Sequence, residues 1–131
     1  MAHAALGAGP DSVARDATLL HGTDTVTQTA SYDRHEIQAQ TGTKVREYVS
    51  RQGTVFALSW EGRTNPDMQQ LLGASYPGYL AAVLAHRGGH HLVSISTPEL
   101  VASVLVVQRR SIGHVRVPAL IPSGVTLADL R

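Results

Sequence analysis

The chain has 131 residues, the size of one domain, with 43% apolar residues and a formal net charge of +1 with its histidines neutral. It contains no cysteine, which removes disulfides, thiolate nucleophiles, iron–sulfur clusters and cysteine zinc sites. Ten arginines and one lysine are spread along it, so composition makes no electrostatic case for nucleic acid or an anionic membrane, and no apolar run has the length of a membrane-spanning helix.

Residues 1–24 are small and polar, with Gly7, Gly9, Pro10 and Gly22, and read as a flexible lead-in to a single domain over 25–131. Ala2-His3-Ala4 has the small-x-small form of a signal-peptidase site, although no charged and apolar regions precede it. On the tripeptide alone, a cleavage remnant and an ordinary alanine-rich start are equally good readings. Thr25–Ala30 is weakly strand-like, Ser31–Ala39 is a better strand, and Gln40-Thr41-Gly42 reads as a turn.

The clearest pattern follows. Thr43–Arg51 and Thr54–Trp60 favour strand and are separated by Gln52-Gly53, the spacing of a two-residue hairpin loop. Pairing outward from that loop sets Val49 against Phe56, Glu47 against Leu58 and Val45 against Trp60, all on one face because strand periodicity is two. That face is apolar except for Glu47. Asn65-Pro66-Asp67 then opens a helix: Asn caps free N–H groups, Pro suits the first helical position, and Asp favours the positive helix end. A second helical segment starts near Ser75-Tyr76-Pro77, with Tyr76, Tyr79, Leu80, Val83 and Leu84 at helical spacing, and Gly88-Gly89 stops it.

The last third returns to strands over His91–Ser96, Ala102–Gln108 and His114–Val117. Thr97-Pro98-Glu99 can open a helix, but Val101, Val104, Val106 and Val107 favour a turn between strands. Arg109-Arg110, the sole adjacent basic pair, reads as a surface turn. The order strands, helices, strands predicts an α+β fold: one antiparallel sheet of about five to six strands with a broken helix over about 66–86 on one face.

The middle and end of the chain resemble a family of exported proteobacterial proteins catalogued as domain of unknown function 2844. The likeness runs through Gly42-Thr43, Val45-Arg46-Glu47-Tyr48-Val49, Gly53-Thr54-Val55-Phe56, Trp60 and Gly62. It continues in Pro66-Asp67, Gln70-Leu71-Leu72-Gly73, Tyr76-Pro77 and Tyr79, then Leu105-Val106-Val107, Gly113, Pro118, Ile121-Pro122 and Gly124-Val125. It covers roughly residues 31–130. The resemblance implies a signal peptide and a periplasmic or secreted location, which favours the cleavage-remnant reading of Ala2-His3-Ala4, and it implies no activity. The glycine- and histidine-containing stretch usual after the Leu-Val-Val strand is shortened here to Gln108–Ile112, so no role of that stretch carries over.

Glu47 is the first catalytic candidate. A desolvated carboxylate has a raised pKa and can act as a general acid or base, whereas pairing with Arg34 or Arg116 makes it structural, the simpler reading. His86, His90 and His91 form the one histidine cluster and have the chemistry to hold zinc or copper. No Cys, Asp or Glu lies near them in sequence, so a solvated loop is preferred and no cofactor is expected. His35 and His114 sit in strand-like surroundings and suit packing or hydrogen bonding. Tyr48, Trp60, Tyr76 and Tyr79, with Arg116, can line a ligand groove, but with six aromatic residues in all, core use is the stronger reading. No nucleophile elbow, triad spacing or phosphate loop is present. The leading expectation is a non-catalytic module of the cell envelope that binds a protein, peptide or glycan. The alternatives are a small hydrolase or isomerase using Glu47 or a histidine, and a structural partner that oligomerises through a sheet edge.

Overall fold

Strands turn alternate side chains to opposite faces, and that alternation organises most of this chain. The computed structural model describes residues 23–39, 42–63, 72, 76–85, 92–98, 100–122, 124 and 125. Among them are seven strands: β1 (Thr23–Gln28), β2 (Tyr32–Gln38), β3 (Lys44–Ser50), β4 (Val55–Gly62), β5 (Leu92–Ser96), β6 (Val101–Val107) and β7 (Arg110–Arg116). A helix, α1 (Tyr76–Ala85), lies between β4 and β5 in the chain, and a 3-10 turn, Pro118–Leu120, follows β7. The strands form one antiparallel sheet in the order β1-β2-β3-β4-β7-β6-β5. Two meanders, β1 to β4 and β5 to β7, therefore join at the β4–β7 pair.

The expected α+β domain of five to six strands becomes a mostly β domain of seven. The added strand comes from the threonine-rich N-terminal stretch, which begins at Thr23 rather than Thr25 and suits a pleated surface. Its reversal is held by Thr29, whose hydroxyl accepts from the N–H groups of Ser31 and Tyr32 and donates to the Tyr32 carbonyl. Of the broken helix expected over about 66–86, residues 72 and 76–85 are described and are helical, and its expected packing across a face is corrected. The described helix spans Tyr76–Ala85 and contacts the β5 margin of the sheet, reaching the core through Tyr76, Tyr79 and Ala82. Leu72 is helical and fully buried in the same core, whereas the Asn65-Pro66-Asp67 start lies outside the described residues. Over 97–108 the strand reading holds. Thr97 closes the turn by accepting from the Leu100 N–H and donating to its carbonyl, and β6 follows.

The central hairpin shows how two local irregularities cancel. Gly53 donates to the Ser50 carbonyl at 2.9 Å, and Ser50 donates to the Thr54 carbonyl at 2.8 Å. The loop therefore has three residues, Arg51-Gln52-Gly53, with Gly53 at φ 85°, a conformation glycine adopts without penalty. Alone, that extra loop residue shifts the register, and Val49 pairs with Val55 rather than Phe56. A bulge at Phe56 restores it, so Tyr48 meets Ala57, Glu47 meets Leu58 and Val45 meets Trp60. Phe56 consequently leaves the Glu47 face, where the two-residue loop would have put it, and joins Tyr48 on the other.

The two faces differ in character. The first carries Ile37, Val45, Val49, Val55, Leu58, Trp60, Ala102, Val104 and Val115 in one buried cluster with Leu72. Trp60 lies over Gly113, its partner on β7, where a Cβ would overlap the indole ring, and its Nε1 donates to the Ser111 hydroxyl at 3.0 Å. The second face has a smaller cluster of Tyr48, Phe56 and Ala57, covered by Tyr32, Ile121 and Val125. Tyr32 stands edge-on to Tyr48 with centroids 5.7 Å apart, and the Val117 N–H donates to the Phe56 carbonyl at 3.0 Å. The rest of that face carries the charged and polar side chains of β2, β3, β4 and β7 together with exposed Leu105, Val107 and Ile112 on β6 and β7.

Candidate functional site

Glu47 is fully buried on the first face, in a cross-strand row that runs His35, Glu47, Leu58, Val115. Arg34 and Arg116, the expected partners, stand opposite Tyr48 and Ala57 on the second face. Period-two alternation puts the sheet itself between them and the carboxylate, so that pairing is excluded. The residue directly opposite Glu47 is His35, within the spacing at which cross-strand side chains interact. His114 belongs to the other face, opposite Ser59 and Ser103.

The aromatic candidates do not converge. Trp60 and Tyr48 are buried on opposite faces, and Tyr76 and Tyr79 join the Trp60 cluster, with their ring centroids 6.4 Å apart. Burial pushes the Tyr48 hydroxyl above its ordinary value, while the Ser59 hydroxyl and the Arg46 and Arg34 guanidinium groups act the other way. Tyr79 is also raised by burial, with Tyr76 adding to the effect. His86, His90 and His91 lie outside the described residues, and among those described no group of three His, Cys, Asp or Glu is placed to hold a metal ion.

The structure instead gathers the cations that the sequence spreads out. Arg34, Lys44, Arg46, Arg110 and Arg116 share the second face, and Arg63 and Arg109 stand at one end of it. These are seven of the chain's eleven Lys and Arg, and the carboxylates that accompany them there among the described residues are Glu36 and Glu61. Glu36 binds Lys44 at 3.3 Å and approaches Arg46 at 3.8 Å, and Glu61 pairs with Arg110.

At that end is an open cleft of about 730 Å³, lined by Gln38, Gly42, Lys44, Glu61, Gly62, Arg63, Gln108, Arg109 and Arg110. It exists because three chain reversals or exits meet there: the β2–β3 turn, the end of β4 and the β6–β7 turn. Four cations and one carboxylate make its lining strongly positive against a whole-chain charge of +1. Among the described residues no carboxylate pairs with Arg63 or Arg109. Glu47 is not part of the lining.

The β6–β7 turn is unusual. Val107 and Arg110 pair across a two-residue loop whose central residues, Gln108 and Arg109, have φ of 49° and 63°. Such a turn favours glycine, above all at its second position, because an L side chain crowds the backbone in the left-handed region. Sequence reading recognised Arg109-Arg110 as a turn. It missed the cleft because Lys44, Arg63 and Arg109 become neighbours only through sheet order.

A family described as "Protein of unknown function (DUF2844)" matches residues 2–130, and the chain belongs to that family. No curated protein and no solved structure matches it.

Proposed function

We propose that this member of the DUF2844 family is a non-catalytic binding module that works outside the cytoplasm, in the periplasm or as a secreted protein. The observation that carries the binding role is the separation of Glu47 from the cleft: this catalytic candidate is sealed in the core while the open cleft presents cations and amides. A general acid or base must come within hydrogen-bond reach of its substrate, and Glu47 has no route to one through the cleft. Concave sites lined with a few convergent polar groups are the usual places for ligands. The export part of this reading rests on the family resemblance, which implies a periplasmic or secreted location.

Capture from envelope extract tests the binding role, using the wild type, a Lys44→Glu variant and a Glu47→Gln variant as baits. The expected result is a bound species lost with Lys44→Glu and retained with Glu47→Gln. Capture that depends on Glu47 and not on Lys44 would defeat the reading. Fractionation of cells expressing the full natural gene product tests export, and a purely cytoplasmic pool would contradict it.

A second reading has its own observation. β5 is a sheet-edge strand of five residues, Leu92–Ser96, with no charge in it. Uncharged edges are templates for pairing with another chain. Sedimentation across a concentration series tests this oligomerising role, and a strict monomer throughout would count against it.

A further inference from the structure

We infer that the cleft at the end of the second face is an oxyanion site for a phosphate-bearing ligand, anchored by Arg109. This deepens the binding-module reading and rests on it. Three features converge there. Arg63 and Arg109 bring guanidinium groups from separate elements to one open cavity, and neither is neutralised by a described carboxylate. Guanidinium groups present forked donors that match phosphate oxygens, and charge-assisted bonds of this kind are the strong ones. Gln108 adds an amide donor to the same wall, where the Gln38 amide donates to the Gly42 carbonyl at 3.2 Å, and Lys44 adds a third cation beside its Glu36 partner.

The turn supplies the third feature. Position 109 has the backbone conformation of a glycine and carries an arginine. An arginine in a left-handed turn opposes folding, and backbone strain of this sort concentrates at functional sites. The side chain that the strain retains is a cation on the cleft wall. Glu61, which would repel an anion, is occupied by Arg110. The cavity, about 730 Å³ and open, is larger than one phosphate, so it has room for more of the ligand than the phosphate alone.

The test is a titration of the purified wild type with inorganic phosphate at constant ionic strength, read by backbone amide NMR shifts. Co-sedimentation with phosphatidylglycerol vesicles, and with phosphatidylcholine vesicles as a control, distinguishes a lipid headgroup from a free phosphate. Saturable shifts confined to residues around Lys44, Arg63 and Gln108–Arg110, or salt-sensitive binding to the anionic vesicles alone, support the site. Arg109→Gly should raise the urea midpoint and weaken that binding about tenfold, the worth of one charge-assisted contact. Arg51→Gln, which changes a cation at the opposite end of the sheet, should leave binding unchanged. Absence of both phosphate shifts and anionic-vesicle binding overturns the inference, and so does binding that Arg51→Gln weakens as much as Arg109→Gly. If envelope capture through Lys44 persists while both arms fail, the ligand class is wrong and the binding module stands. If capture fails as well, both fall.

Discussion

Two hairpins in this sheet reverse the chain by opposite means. The β3–β4 turn spends a glycine, Gly53, at its left-handed position and lies beside strands that are almost wholly buried. The β6–β7 turn places Gln108 and Arg109 in left-handed conformations and is exposed at the rim of a basic cleft. In the first hairpin, local chemistry and fold agree. In the second they conflict, and the conflict coincides with the charge. Where local preference is overridden beside a cavity, the side chain kept there is the one to test for function.

The largest effect should come where the two meanders join. Gly113→Val forces a side chain into the Trp60 ring and should destabilise the fold by about 3 kcal/mol, read by urea denaturation. A change below about 1 kcal/mol would mean that the β4–β7 junction repacks freely. The turns themselves come next, with opposite signs. Gly53→Ala should cost about 1–2 kcal/mol because alanine is strained at φ 85°. Arg109→Gly should gain about 1 kcal/mol by relaxing φ 63°. Equal signs for the two substitutions would dissolve the contrast between the hairpins.

The smallest effect concerns pH. The Tyr48 pKa is raised in the folded state, so the folded protein holds this proton at pH values where the unfolded chain releases it. The resulting stability is fully present below the ordinary tyrosine value of about 10.0 and is lost as pH rises through the folded value. Tyr48→Phe should therefore flatten the alkaline limb of a stability–pH curve above about pH 10, and an unchanged limb would assign that limb to Tyr79 or other groups.

Much of the sheet was legible in the sequence because its signals are local. Alternation fixed the partners of Val45 and Glu47, and β-branched residues identified β6. The details that failed depend on more than one element. A bulge at Phe56 compensated for a longer loop, so the outer register was read correctly from a turn of the wrong length. The arginines proposed for Glu47 failed because pairing needs the same face, and Arg34 and Arg116 have the other parity. Glu47 itself was legible as the residue that breaks an apolar face, but its separation from the basic cleft was not. The cleft was invisible because it joins residues 38, 44, 63 and 109, which only the strand order brings to one end of the sheet.

The most direct test of the contrast between the hairpins is one set of urea midpoints, for wild type and Arg109→Gly, each with and without phosphate at matched ionic strength. Phosphate strengthens burial generally by exclusion from protein surfaces, and that contribution is common to both proteins. A ligand that binds only the folded state adds stability on top of it. The expected result is a variant more stable than wild type without phosphate, and a phosphate-induced gain larger in wild type than in the variant. A variant no more stable than wild type, or equal gains in both, would contradict the claim that the strained turn is kept for an anion.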